Sequence, residues 1–351
     1  MLPGPSNNMS LSIIIVNWNG GALLLRCLDS IRASSTTFPV RVIVVDNDST
    51  DGSREAAQAR FPEYDIFNSG SNLGFGRANN LARDRVRTPL VLILNPDTEL
   101  KSDTLQRMVQ LMESRPEVGA ATCMMRYPNG DVQELGLQWS PSPITVFLEL
   151  LLANRMVRRL FRWCLPAVDP HSSGYVRKIY GGFVIARKEV LDEAGWFDDR
   201  YFMYAEDVDL SRTIRQLDWK LYYNSAAEIV HVCGGLSDQA PSGFSVLMKN
   251  ESIAKYIRKY QGRISELFYR FTIFSAALIR LLISLPFHLF HIGNSVRWKN
   301  ALLKQKLMIL WAVGLKRAVI ATSRATHDPS LKRTTTHPSP PEALGTVSTA
   351  N

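Results

Sequence analysis

Four polar loops in the first hundred residues of this 351-residue chain are built from side chains able to hold a nucleotide. They read Val-Asn-Trp-Asn-Gly at 16–20, Val-Asp-Asn-Asp-Ser-Thr-Asp-Gly-Ser at 45–53, Asn-Leu-Gly-Phe-Gly-Arg-Ala-Asn-Asn at 72–80 and Leu-Asn-Pro-Asp-Thr at 94–98. Together they form a rim of amides such as Asn17 and Asn72, carboxylates and glycines. Asp46 or Asp48 can accept from a pyrimidine N–H or a ribose hydroxyl, while Gly74 and Gly76 let the backbone approach a ligand closely. A diphosphate also needs positive charge, which Arg77 or a divalent cation on Asp97 can supply.

A second cluster, at 198–210, reads Asp-Asp-Arg-Tyr-Phe-Met-Tyr-Ala-Glu-Asp-Val-Asp-Leu. Val208 or Leu210 repeats with Ile214 and Leu217 at helical spacing, which puts Glu206 and Asp207 in a first helical turn. A carboxylate on a rigid helix, in a pocket lined by Tyr201, Phe202 and Tyr204, makes a good general base. His231 ends an apolar run and precedes glycines that let backbone fold around a ligand. With Cys233 it offers two zinc ligands, too few for a site.

Each feature also has a purely structural reading. Asp-x-Ser-x-Asp-Gly caps helices, Asn-Pro-Asp starts turns, and acids favour helix N-termini in any protein. A lone histidine at a strand end is usually a satisfied polar residue. What favours chemistry is repetition, because four such loops stand at consecutive strand ends.

The elements that position them alternate. Runs at 11–16, 40–45 and 90–94 are rich in Ile, Val and Leu and feed polar loops, the pattern of buried parallel strands. Helix formers fill 22–32, 53–60 and 78–85, so an open α/β sheet is predicted, with ligands at the carboxyl ends of its strands. A second block, 101–235, holds a predicted helix at 103–114, a strand at 118–124 and an irregular basic stretch at 144–165.

Of the formal charge of +9, the stretch 255–333 carries 15 Lys or Arg against Glu266 and Asp328, or +13, leaving about −4 elsewhere. Basic character therefore belongs to a C-terminal segment. Cys27, Cys123, Cys164 and Cys233 are too far apart in sequence for a metal knuckle or a redox motif, which fits a reducing compartment. The polar start and the short apolar run at 11–16 predict a cytosolic N-terminus.

In their order, the four loops, Gly-Gly-Phe-Val-Ile-Ala-Arg at 181–187, Tyr-Ala-Glu-Asp-Val-Asp-Leu at 204–210 and His-Val-Cys-Gly-Gly at 231–235 resemble family 2 glycosyltransferases. Within that family they are most similar to the rhamnosyltransferase-like branch of bacterial polysaccharide synthesis. The resemblance covers 10–235 and implies a GT-A α/β fold with a mixed, mainly parallel sheet. It implies a catalytic domain over 10–242, with a nucleotide half at about 10–100 and an acceptor half at about 101–242. It further implies inverting transfer of a sugar, L-rhamnose from dTDP-rhamnose, to a saccharide or polyprenyl-linked acceptor with Mg2+ or Mn2+. By position, Asp46 and Asp48 would touch the nucleoside, with Asn17, Asn72, Gly74 and Arg77 around the donor. Asp97 would bind the metal, and His231 the metal or diphosphate. Asp207 would be the base, and Glu206 would position it or the acceptor. Many members carry two carboxylates at the metal motif, whereas Asn95-Pro96-Asp97 offers one, a variant the rhamnosyltransferase-like branch shares.

Beyond residue 243 the chain turns basic and apolar. On a helical wheel Arg270, Ala277, Arg280, Ser284, His288 and His291 fall in one arc of roughly 80°, with Phe271, Phe274, Leu278, Leu281, Leu282, Leu285 and Leu289 elsewhere. This predicts amphipathic helices over 243–327 lying on an anionic membrane, on the inner face of the cell membrane, rather than crossing it; packing on the catalytic domain is the alternative. Arg155, Arg158, Arg159 and Arg162 suggest a second membrane or acceptor contact. The tail 328–351 is predicted to be disordered, and nucleic acid binding is disfavoured. Two other functions compete: a sugar-phosphate nucleotidyltransferase, whose Gly-rich basic loop is missing at 16–20, and an inactive binding module, against which Asp97, Glu206, Asp207 and His231 all speak.

Overall fold

The computed structural model describes residues 9–134, 138–152, 168–232, 243–289 and 296–316. The expected disordered tail, the four arginines at 155–162, and Cys164 and Cys233 lie outside the described residues. The first strand explains the rest of the sheet: β1 (Leu11–Asn17) is buried at every position, so both its faces must be covered. It pairs in parallel with β2 (Val40–Asp46) and β4 (Leu90–Leu94), and β2 pairs in parallel with β3 (Asp65–Asn68). The predicted strands at 11–16, 40–45 and 90–94 are therefore present, each within a residue.

One face is covered by α1 (Gly21–Arg32), α2 (Ser53–Arg60) and α4 (Thr104–Ser114), which bury Leu24, Leu28, Ala57, Met108 and Met112 against the sheet. The other is covered by α3 (Phe75–Leu81), α6 (Lys188–Ala194) and α7 (Glu206–Gln216), through Ala78, Val190, Leu210 and Ile214. Burying each Leu, Ile, Val or Met here contributes about 1.5–3 kcal/mol, and each Ala roughly a third of that. The sheet continues through β8 (Phe183–Arg187), β6 (Val118–Arg126), β9 (Lys220–His231) and β5 (Thr98–Leu100), with β7 (Gly174–Val176) also on β9. Antiparallel pairing enters at β4–β8 and recurs at β5–β9. Cys27 and Cys123 are buried free thiols; burial raises both pKa values, Cys27 to about 12.

A third cluster joins α5 (Pro143–Leu152), α8 (Phe244–Leu289) and α9 (Val296–Ala312) to Tyr201 and Ala205 of the acidic segment. Gly262, at φ 85, breaks α8 into two arms. The helical wheel sorts the second arm into two arcs, and the structure shows which of them meets protein. The arc containing Arg270, Ile273, Ala277 and Arg280 faces protein: Ile273 and Ala277 are buried, Arg270 pairs with Glu266 and stacks on Trp311, and Arg280 donates to the Leu150 carbonyl. Small Ala277 admits the neighbouring helices, and pairing lets the cations turn inward. Phe271 and Leu282 face solvent instead. The side chains of Ser284, His288 and His291 lie outside the described residues. No described helix is long and apolar enough to cross a membrane.

Candidate active site

The loops after β1 and β2 lock onto each other. Asn17 is fully buried; its amide donates to Asp46 Oδ1 at 2.8 Å, Ser53 Oγ at 2.9 Å and Ser49 Oγ at 3.1 Å, and its Oδ1 accepts from Gly20 N–H. A Cβ on residue 20 would stand 2.3 Å from that oxygen, so glycine is required there. Asp46 Oδ2 accepts from Ser49 N–H, and Arg54 stands 4.0 Å away. These two predicted donor contacts thus shape the loop from within, while Asp48, at φ 65, is only partly buried beyond them.

Asn47, which sequence reasoning passed over, joins this loop to the next. Its amide donates to Asn72 Oδ1 at 2.9 Å and its Oδ1 accepts from Leu73 N–H at 2.9 Å. Asn72 in turn accepts from Gly74 N–H. The predicted close approach at Gly74 is to protein: with φ 81, a Cβ there would lie 2.2 Å from the Phe202 carbonyl, which accepts from Phe75 N–H. Arg77 Nε donates to the Asp199 carbonyl and Asn80 holds Phe197 and Asp199. The 72–80 segment therefore clamps the chain entering α7, a role its composition does not separate from ligand binding.

That clamp orders the acids. Asp198 and Asp209 pair with Lys259 of α8, Tyr201 donates to Asp209, and Ser252 donates to the Met203 carbonyl. Among the described residues Glu206 and Asp207 have no ion pair. They follow Tyr204 and Ala205, both in the left-handed region at φ 67 and 64, which costs an L-residue roughly 1 kcal/mol or more each. Asp207 Oδ1 accepts from Val208 N–H at 2.8 Å, so it partly caps its own helix, while Oδ2 accepts from Gly181 N–H at 3.1 Å. Burial raises its pKa against those bonds and the nearby Lys178. Glu206 is 7% exposed, its Oε2 has no partner, and burial together with the Asp207 charge pushes its pKa up to about 8. The two acids titrate as one buried pair, each raised by burial, and the Gly181 and Val208 N–H donors favour the ionised form of Asp207.

Asp97 and His231 meet because β5 pairs antiparallel with β9, setting Thr98 opposite His231. His231 Nε2 is 3.3 Å from Asp97 Oδ1, both nearly buried. Gln133 decides the tautomer: its Nε2 donates to the His231 carbonyl at 2.6 Å, so its Oε1 accepts from His231 Nδ1–H at 3.0 Å. The Nε2 lone pair then faces both the Asn95 amide, 3.5 Å away, and Asp97 Oδ1, and a cation between imidazole and carboxylate would satisfy both acceptors. Among the described residues no third His, Cys, Asp or Glu joins them, so a diphosphate and water would have to complete the shell. An imidazole, a carboxylate and phosphate oxygens suit Mg2+ or Mn2+.

Gly181 and Gly182 connect the two centres. Gly181 bonds Asp207; Gly182 lies against His231, with a Cβ position 3.3 Å from its Cε1, and its carbonyl accepts from Asn95 N–H. The sequence-predicted Asp97, Asp207 and His231 thus converge where β4 ends and β8 begins, beside the loops of β1 and β2.

The family model for glycosyl transferase family 2 matches residues 12–181. The chain is 30% identical over 234 residues to the N-acetylglucosaminyl-diphospho-decaprenol L-rhamnosyltransferase of Mycobacterium tuberculosis, covering 63% of this chain and 75% of that protein. It is 24% identical over 226 residues to the Escherichia coli rhamnosyltransferase WbbL, covering 62% of this chain and 82% of that one. Among solved structures, the Pyrobaculum calidifontis mannosyltransferase PcManGT, in complex with GDP-Man and Mn2+, superposes with a TM-score of 0.54 at 16% identity, over 89% of this chain and 88% of that one. GalNAc-T7 with UDP, GalNAc and Mn2+ gives 0.54 at 13% identity, over 86% of this chain and 55% of that one. With its α/β sheet and ordered motifs, the chain belongs to glycosyl transferase family 2 and is a rhamnosyltransferase-like glycosyltransferase of GT-A fold.

Proposed function

We propose that this chain is an inverting, divalent-metal-dependent glycosyltransferase that moves L-rhamnose from dTDP-rhamnose to a lipid-linked saccharide, acting peripherally at the inner face of the membrane. The observation that carries the reading is the Gly181–Gly182 link, with a carboxylate base on one side and the Asp97–His231 pair on the other. The rhamnose donor and lipid-linked acceptor are supported by the likeness to a decaprenol-linked rhamnosyltransferase. In this reading residues 10–242 serve as the catalytic domain and 243–327 as the membrane-associated segment.

Asp207 takes the proton from an acceptor hydroxyl as that oxygen attacks the anomeric carbon opposite the nucleotide, so configuration inverts in one step. Gly181 N–H orients the Asp207 carboxylate and favours its ionised form, while Glu206 lies beside it in the same buried turn. Lys178, buried nearby with its pKa lowered by burial, favours the ionised base. Mg2+ or Mn2+ held by Asp97 and His231 would offset the charge gained by the leaving diphosphate. The loops carrying Asn17, Asp46, Asp48 and Asn72, with Gly74 and Arg77, wall the nucleotide side.

Family membership sets aside the nucleotidyltransferase alternative. A donor panel tests the rest: purified chain, Mg2+ or Mn2+, and dTDP-, UDP- and GDP-sugars, scored for nucleotide release with and without a polyprenyl-linked acceptor. Release of dTDP from dTDP-rhamnose, stimulated by acceptor and abolished by chelation, is expected. Release from no donor would leave an inactive binding module.

A further inference from the structure

We propose that the apolar face shared by α5 and the second arm of α8 inserts into the headgroup and acyl boundary of an anionic lipid leaflet, setting Asp207 at the membrane edge; this deepens the lipid-linked acceptor reading and rests on it. Between 264 and 283 of α8, every charged side chain, Glu266, Arg270 and Arg280, lies on the protein-facing arc. The opposite arc presents Ile264, Leu267, Phe268, Phe271, Ile279 and Leu282, each at least 56% exposed. Twenty helical residues extend this face over ~30 Å. It continues onto α5 through Ile144 and Phe147, 72% and 51% exposed, across a groove of about 490 Å³. Monomeric proteins rarely leave so long an apolar strip in water. The arm is not waiting to repack, since Tyr269, Ile273 and Ala277 already bury its other side.

Charge selects the occupant. Residues 243–316 carry twelve Lys or Arg against Glu251 and Glu266, and Arg258, Arg263, Lys304 and Lys306 are exposed. A second copy would bring these like charges together, whereas an anionic leaflet attracts them. Position adds a reason. The segment before α5 reaches both sides: the Trp139 carbonyl accepts from Lys178 near Asp207, and the Pro141 carbonyl accepts from Gln261 beside the groove. Glu149 of α5 likewise acts on Lys178 and Tyr180. A saccharide reaching Asp207 from this side would have its lipid in the leaflet against α5 and α8.

Co-sedimentation of the full chain with vesicles of phosphatidylcholine alone or with roughly one-third phosphatidylglycerol tests this. Binding to the anionic vesicles, weakened by salt, is expected, and F268D/F271D should lower it roughly tenfold or more with unchanged circular dichroism and donor turnover. Should that pair fail to fold, L282D is the second variant, with the same expectation. Wild-type protein that ignores both vesicles, folded variants that bind undiminished, or a wild-type dimer that F268D/F271D dissociates would overturn the proposal. Vesicle binding without nucleotide release from any donor would instead sink the sugar-transfer reading and leave the membrane face standing.

Discussion

Two buried carboxylates, Asp46 at the end of β2 and Glu206 at the start of α7, are treated differently by their surroundings. Asp46 accepts from Asn17 and from Ser49 N–H through separate oxygens, and Arg54 is nearby. Glu206 has an oxygen with no donor at all and a pKa pushed up by burial and by Asp207. Burial alone therefore does not mark a functional acid. A satisfied buried carboxylate fixes loop shape, while an unsatisfied one stores a cost that folding alone does not explain. The loops after β1 and β2 are preformed architecture, while the acids at the start of α7 carry a burial cost that the proposed base chemistry would use.

The sharpest break in that comparison is Asp207→Asn. Turnover should fall ~10²- to 10⁴-fold while nucleotide affinity survives, as measured by steady-state kinetics and calorimetry. Near-wild-type turnover would move the base elsewhere. Next comes Asn17→Ala, which strands Asp46 Oδ1 and Gly20 N–H together. Stability should drop by about 3 kcal/mol in urea titration. Full stability with lost nucleotide binding would make Asn17 a ligand contact and erase the contrast.

Gln133→Ala should weaken Mn2+ binding in the presence of dTDP by roughly 10- to 100-fold, because the His231 ring loses the bond that orients it. Nitrogen-detected NMR of the metal-free protein supplies a second readout: the His231 Nδ1–H tautomer should lose its dominance. An unchanged tautomer and affinity would show that β9 alone orients the ring.

What the chain discloses before folding is uneven for physical reasons. Dense Ile, Val and Leu runs specify β1, β2 and β4, and the helical stripe from Leu210 through Ile214 places Glu206 and Asp207, because these signals are local. β5 is three residues long and has no such signal, yet its pairing with β9 is what brings Asp97 to His231. Gln133 lies 98 positions from His231 and sits in no motif. Gly74 shows the opposite limit: a glycine announces close approach, but whether a ligand or the Phe202 carbonyl comes near is decided only by the packed fold. The wheel of α8 likewise separates two arcs without saying which one meets protein.

The smallest effect distinguishes tension from accident at Glu206. Its folded pKa, about 8, lies above the ordinary value of 4.5, so between those pH values the folded state holds a proton that the unfolded state has lost. Stability from this group is complete below about pH 4.5 and declines as pH rises through about 8. Glu206→Gln keeps the neutral shape at every pH. Its melting temperature should therefore exceed that of wild type by a margin that grows from pH 5 to pH 8, in parallel thermal scans. A constant gap would mean that Glu206 ionises as freely in the fold as in the unfolded chain, and the contrast between Asp46 and Glu206 would then be one of geometry alone.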